Sequence, residues 1–268
     1  MSRTPSPASH GNDNGTSTSS STRPRSPHPL LKAAATAIAA ALILSISGFL
    51  VYAHITYAAE RTPVQQLAAD AAVSTTWTHD HVILTPTDPD GTGLVFLAGA
   101  KVDPLSYASK LSGIAAAGTT VVIVRPLLNF AIFEVRPLDD FTSLAPEVQT
   151  WFVGGHSLGG VKACQYVHDE AVEGLVLLGS YCAGDESGLG KPVLSISAEN
   201  DGLSTPAKID ASRATLPPDT VFVQLPGATH AQFGDYGLQP GDGSASATDA
   251  QVRTEITAAL DAFLAPQR

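Results

Sequence analysis

The sequence predicts an α/β fold over residues 73–268: one mostly parallel sheet covered by helices on both faces. Two observations carry this reading. From residue 82 onward, apolar runs of strand length alternate with stretches of helical length. The runs are nearly continuous in Val, Ile and Leu, without the in-out alternation of a half-solvated strand, so both faces must be covered. The size agrees. A chain of 268 residues, 44% hydrophobic and 15% charged, holds one large domain or two small ones, and no internal repeat divides it.

Taken in order, residues 1–32 read as a disordered cytoplasmic tail. The first 29 are mostly Ser, Thr, Pro, Gly, Asn and His, which bury no core. Ala33–Ala53 follows without a single charge. As a helix at about 1.5 Å per residue it spans roughly 31 Å, the thickness of bilayer hydrocarbon. Its polar residues are only Thr36, Ser45 and Ser47, so a soluble core helix with a polar face is a poor description. Arg3, Arg23, Arg25 and Lys32 precede it and place the N-terminus inside, hence the rest of the chain outside. The competing reading is a cleaved signal peptide, with Val51-Tyr52-Ala53 as the cleavage site. The segment is long for a signal h-region and its flank is long for an n-region. Expected is a single-pass protein of the cell membrane with an extracytoplasmic domain, or a secreted one if the helix is removed.

After a connector at 54–72, strands are expected at Val82–Leu84 and Leu94–Ala98, on either side of an Asp-Pro-Asp-Gly turn at 88–91. Asp103-Pro104 caps a helix reaching Ala117 and stopped by Gly118. Next come a strand at Thr120–Val124, a polar helix near 139–148, a strand at Trp151–Gly154 and a helix from Leu158 to about Glu170. Strands at Gly174–Leu178, Val193–Ser197 and Val221–Leu225 enclose a helix from Pro206 to about Leu216, and a last helix covers Asp249–Leu264.

Composition excludes several functions. The net charge is −10, and residues 1–32 hold four of the 15 cations but one of the 25 anions, Asp13. The domain is therefore strongly acidic and carries no basic stripe for phosphate, so no nucleic-acid partner is expected. Two cysteines frame neither a disulfide-rich scaffold nor a zinc ribbon. His79-Asp80-His81 has the ligand types for a metal but lies at a turn between early strands with no further ligand nearby, so none is expected.

The chemistry enters at Gly154-Gly155-His156-Ser157-Leu158-Gly159-Gly160. Gly-x-Ser-x-Gly alone is a weak signal. Here it follows the apolar strand Trp151-Phe152-Val153 and opens a helix, the strand-turn-helix context of a nucleophilic serine. The tight turn needs small neighbours, and the helix N-terminus directs free N–H groups to the same spot. Such a serine needs a base, and the base an orienting carboxylate. His156 is the variable residue of the turn and is expected to point away, while His168 lies on a surface-like stretch of the following helix. His230, five residues past Leu225, is the expected base. The strand Val193–Ser197 ends in Ala198-Glu199-Asn200-Asp201-Gly202, with Asp201 the expected acid and Glu199 the fallback. The N–H groups of Leu158 and Ala100 are expected to form the oxyanion hole, with Lys101 second to Ala100.

Pro126–Phe133 is unusually apolar for a connection and follows the carboxyl end of a strand, where open α/β sheets bind ligands. Leu128, Asn129 and Phe130 therefore suggest a wall for an acyl or alkyl group, the alternative being a short buried helix. Cys164 lies about two turns into the helix after Ser157, and Cys182 ends the next strand. An αβ unit of this length lets their Cα atoms reach bridging distance, and oxidation is permitted outside the membrane. The alternative is two small core residues that never meet.

The segments Leu97–Pro104, Gly154–Gly160, Asn200–Leu203 and His230–Gly237 together resemble the lid-less α/β-hydrolases related to dienelactone hydrolase, many of them membrane-anchored in Gram-positive bacteria. The resemblance covers about residues 90–262. It implies the α/β-hydrolase fold, with Ser157 as nucleophile, Asp201 as acid and His230 as base. Dienelactone hydrolases proper use a cysteine nucleophile, so lactone hydrolysis is not carried over. The short link between Tyr181 and Val193 leaves no room for a lid domain. The expectation is a serine hydrolase of small-molecule or lipid carboxylic esters, without a cofactor. The alternatives are an acyltransferase using the same triad and a non-catalytic anchored binding module. Nothing in these residues fixes the oligomeric state.

Overall fold

The computed structural model describes residues 29–265, so the expected tail lies largely outside them. The described residues fall into two units divided between Ile46 and Ser47. Helix α1, Pro29–His54, begins four residues before the expected Ala33. Of its residues only Ala53 is buried, which is unlike the core helix of a soluble protein.

The second unit is built on an eight-stranded sheet in the order β1-β2-β4-β3-β5-β6-β7-β8. The strands are β1 Val73–Trp77, β2 His81–Pro86, β3 Thr92–Leu97, β4 Thr120–Val124, β5 Thr150–His156, β6 Val172–Leu178, β7 Val193–Ala198 and β8 Val221–Leu225. From β4 across to β8 every pairing is parallel, and β1 and β2 add an antiparallel edge. The helices are α2 Arg61–Ala68, α3 Ala108–Ala116, α4 Asp139–Thr142, α5 Leu158–Tyr166, α6 Pro206–Ser212 and α7 Asp249–Leu264.

The continuous apolar runs have their explanation in two separate cores. Leu94 and Phe96 of β3 pack with Leu111 and Ile114 of α3 and with Val252, Ile256 and Leu260 of α7. Val95 and Leu97 of the same strand join Ala163, Cys164 and Val167 on the opposite face. Successive side chains point to opposite faces, so a strand buried on both must be apolar at every position.

Several elements differ from expectation. The connector 54–72 contains α2, and Tyr57 bridges to Val102. Strand β1 went unread because Val-Ser-Thr-Thr-Trp is an exposed edge with one fully buried residue. The Asp88–Gly91 link is not a hairpin, since β2 pairs with β1 and β4 while β3 lies between β4 and β5. The helix expected near 139–148 stops at Thr142, ahead of Pro146, which disfavours helical geometry at Ala145. The helix from Leu158 ends at Tyr166 instead of Glu170. The one from Pro206 changes to a 3-10 turn at Arg213–Thr215. The first turn after Asp103 is also 3-10, with the Asp103 carboxylate accepting from Leu105 N–H as expected of a cap. Between β6 and β7 there is no helix and no lid.

Candidate active site

Ser157 sits between β5 and α5 with φ 53° and ψ −124°, a left-handed conformation that a non-glycine residue holds only when its surroundings enforce it. The enforcement comes from glycine. A Cβ at Gly155 would overlap the Gly159 backbone, and one at Gly159 would overlap the Leu97 carbonyl. The chain can therefore turn sharply against β3 only without side chains there. Ser180 Oγ donates to the Ser157 carbonyl at 2.7 Å and fixes the turn from the β6 side.

Asp201 and His230 come together as the sequence suggested. His230 Nδ1 lies 2.7 Å from Asp201 Oδ2, and both side chains are almost wholly buried. The other carboxylate oxygen of Asp201 accepts from the N–H groups of Leu203 and Ser204, at 2.8 and 2.7 Å. Glu199, the fallback acid, is engaged elsewhere, accepting from Gly227 N–H at 2.7 Å. His230 Nε2 is buried without a hydrogen-bond partner among the described residues, so the Ser157 hydroxyl does not bond to it in this conformation.

Of the two candidate oxyanion donors near β3, Lys101 N–H is committed to the Asn129 carbonyl at 2.7 Å. Ala100 N–H has no acceptor among the described residues. Leu158 opens α5, so its N–H lies outside the helix's own hydrogen bonding.

The apolar loop 126–133 is arranged differently from the expected wall. Residues 127–129 and 131–133 form two 3-10 turns, with Leu128 and Asn129 at positive φ. The Asn129 amide donates to the Ala53 carbonyl at 3.0 Å. The Phe130 ring stacks on Phe49 at 6.1 Å and on Tyr52 at 6.4 Å. Asn129 and Phe130 thus pack on the end of the chain's own α1 and form no open wall. The hollow at Ser157, of about 210 Å³, is lined by Leu158, Val161, Ser180, Tyr181, Leu203 and Ser204. A larger one of about 790 Å³ includes Gln232 and Asp242 but not Ser157.

His156 does not point away. Its side chain is buried, with the ring centroid 4.3 Å from that of His230. The Tyr107 hydroxyl accepts from Gly99 N–H at 3.0 Å and lies 2.9 Å from His156 Nδ1, so it is free to donate to that nitrogen. Burial, reinforced by the neighbouring His230, holds the His156 pKa well below the usual imidazole range. Burial likewise pushes the Tyr107 hydroxyl far up.

Asp242 was missed altogether. Its Oδ1 accepts from the N–H groups of Gly202 (3.1 Å), His230 (3.1 Å) and Gly243 (2.7 Å), and its Oδ2 from Ala231 (2.8 Å). One carboxylate thereby joins the loop of Asp201 to the loop of His230. An Asp in a Gly-rich stretch 41 residues past Asp201 gives no sequence signal of this role.

The remaining candidates lie apart. His168 Nε2 pairs with Glu186 at 2.8 Å on the surface, and Cys164 and Cys182 are joined as a disulfide with Cα atoms 5.7 Å apart. At 79–81, the backbone carbonyls of His79 and Asp80 accept from Arg125. No cluster of three His, Cys, Asp or Glu side chains suited to a metal ion occurs among the described residues.

A profile described as the alpha/beta hydrolase family matches residues 93–254, more than half of the chain. No curated protein matches the sequence significantly. Among solved structures, TT1662 from Thermus thermophilus superposes with a TM-score of 0.51 at 15% identity, covering 72% of this chain and 98% of that one. Est1E from Butyrivibrio proteoclasticus gives 0.49 at 11% identity, covering 73% of this chain and 100% of that one. The same protein with ferulic acid bound gives 0.48 at 12% identity, over 73% and 97%.

Proposed function

The chain belongs to the α/β hydrolase family, and from that premise we propose that it is a serine hydrolase of carboxylic esters, anchored in the membrane with its domain outside. The observation that carries the catalytic reading is the buried Asp201–His230 pair at 2.7 Å, on loops after β7 and β8, together with the strained serine after β5.

In this mechanism the Ser157 hydroxyl rotates toward His230 Nε2, gives up its proton there and attacks the ester carbonyl carbon. Asp201 accepts the Nδ1 proton of His230 in a hydrogen bond. That bond fixes the tautomer that leaves Nε2 basic and stabilises the imidazolium once formed. The developing oxyanion takes hydrogen bonds from Leu158 and Ala100 N–H. As the tetrahedral intermediate collapses, His230 returns the proton to the departing alcohol. Water, activated by the same nitrogen, then hydrolyses the acyl-enzyme. No cofactor enters this sequence.

The anchor reading is supported by α1, whose 26 residues span roughly 39 Å at about 1.5 Å each, and by Lys32 and the arginines that precede it. The Cys164–Cys182 disulfide is in keeping with an oxidising compartment.

The test is turnover of p-nitrophenyl esters of graded chain length, together with fluorophosphonate labelling. Ser157→Ala should abolish both. His230→Ala should lower kcat by at least about a thousandfold, and Asp201→Asn by less. Near wild-type turnover in His230→Ala would refute the triad.

A further inference from the structure

We propose that the loop of residues 127–135 is a membrane-contact surface, resting on the lipid bilayer that receives helix α1. The proposal rests on the anchor reading above, not on the catalytic one. The loop, Leu127-Leu128-Asn129-Phe130-Ala131-Ile132-Phe133-Glu134-Val135, has two polar side chains, and both are turned inward. Asn129 is 7% exposed and Glu134 2%, whereas Ile132 is 76%, Val135 80%, Phe133 42% and Leu127 37% exposed. A loop that meets water shows the opposite pattern, since a buried polar group must find partners and an exposed apolar side chain gains nothing.

Those partners are present, and they fasten the loop in this orientation. Glu134 accepts from Leu127 N–H at 3.2 Å, and from the backbone and guanidinium of Arg136 at 3.0, 2.9 and 2.6 Å. Arg136 also donates to the Arg125 carbonyl at 2.8 Å. Asn129 is held by Ala53 and by Arg125. Apolar exposure is thus the built state of the loop.

The occupant follows from continuity. Phe49 meets the Phe133 ring edge-on at 5.8 Å, and Lys101 Nζ lies 3.5 Å over the Tyr52 ring. Phe49 and Tyr52 belong to the last two turns of α1. A chain that leaves the bilayer there leaves it against this loop, so Ile132 and Val135 stand where acyl chains meet headgroups. Trp77, 60% exposed, ends β1 beside the turn that Arg125 holds through the His79 carbonyl. A tryptophan is at home at such an interface.

The full-length protein, reconstituted in phosphatidylcholine vesicles under non-reducing conditions, tests this. An environment-sensitive nitrobenzoxadiazole label is placed at Ile132→Cys, at Leu42→Cys within α1, and at Glu173→Cys on the exposed side of β6. The expected result is blue-shifted emission, quenched by spin-labelled lipid, at 132 and 42 but not at 173. A label in lipid at 42 but in water at 132 would overturn the proposal and leave the anchor standing. Labels in water at both would remove the anchor and this proposal together. A label at 132 that is shielded from water yet insensitive to spin-labelled lipid would mean a protein partner, and would also overturn it. Ester turnover, measured on the same samples, reports independently on the catalytic reading.

Discussion

The buried His156 makes the stability of the domain depend on pH in a calculable way. Its ring lies inside the protein against His230, Tyr107, Phe233 and Tyr236; Nε2 makes no well-formed hydrogen bond among the described residues, and the His230 backbone offsets the effect of burial only in part. The ionisable groups around it are therefore a second imidazole and two phenols whose hydroxyls burial keeps protonated. None supplies a counter-charge in contact with the ring, and protonation would place a cation beside the proposed base.

The folded-state pKa is depressed, so below about pH 6.5 the unfolded chain binds a proton at this position that the folded chain refuses. Stability from this group is accordingly complete above that pH and is lost as the pH falls. With an unfolded pKa near 6.5, the loss between pH 7.5 and 5.5 is on the order of 1 kcal/mol. For a domain of this size that is about 2–4 °C in Tm. His156→Asn is the informative comparison, because its side-chain oxygen can still accept from the Tyr107 hydroxyl but does not titrate. Other groups titrate alike in both proteins and cancel in the difference. Differential scanning fluorimetry of both, at pH 7.5 and 5.5, should give a wild type that loses about 2–4 °C more than the variant. Parallel losses would show that His156 is protonated without penalty, and the account of its burial would be wrong.

Two further outcomes follow from the loops and the disulfide. Asp242→Ala should lower kcat by up to about a hundredfold with a smaller change in KM, since it frees the N–H groups beside Asp201 and at His230 without removing either side chain. Asp242→Asn, which keeps one carbonyl acceptor, should recover part of the loss, and equal kcat in all three proteins would refute the tie. Replacing Cys164 and Cys182 together by alanine should cost about 3 kcal/mol of stability, read by denaturant unfolding. Mass spectrometry of the unreduced wild type after alkylation should find neither cysteine modified.

How much was legible in the sequence depended on how far each signal had to travel. The strands of the middle of the sheet are covered on both faces, so their Val and Ile runs announce them, as Thr120–Val124 shows; Val221–Leu225 is an exposed edge and is legible only because four of its five residues are apolar. Strand β1, Val-Ser-Thr-Thr-Trp, is polar at its three central positions and offers no apolar run to read. Ser157 was legible because its turn tolerates only glycine at 155 and 159. Asp201 was separable from Glu199 only by position, and the structure distinguishes them by what each carboxylate accepts. The apolar loop was recognised as unusual, but its partner is the carbonyl of Ala53, 76 residues upstream, and no local pattern encodes that pairing. His156 was misjudged because its turn position says nothing of Tyr107, a partner 49 residues away.

The absence of a lid places a demand on the loops themselves. Where a closing domain orders a site, its acid and base can be held by what descends on them; here the proposed pair, Asp201 and His230, must be held from beneath. Asp201 has one oxygen occupied by two backbone N–H groups of its own loop, which leaves the other to face His230 Nδ1. The histidine loop is secured by Asn200 N–H to the Ala228 carbonyl at 2.8 Å, by the Thr229–Gln232 capping box and by Asp242. The Asn200 amide reaches on to the Ser244 carbonyl at 3.0 Å, tying in the segment that carries Asp242. Three segments distant in sequence thus restrain one another through hydrogen bonds to backbone groups, with charge on the acceptor at Asp201 and Asp242, where such bonds are strongest. In the proposed mechanism a pair ordered in this way is ready before substrate arrives, and the rotation of the Ser157 hydroxyl is the movement still required.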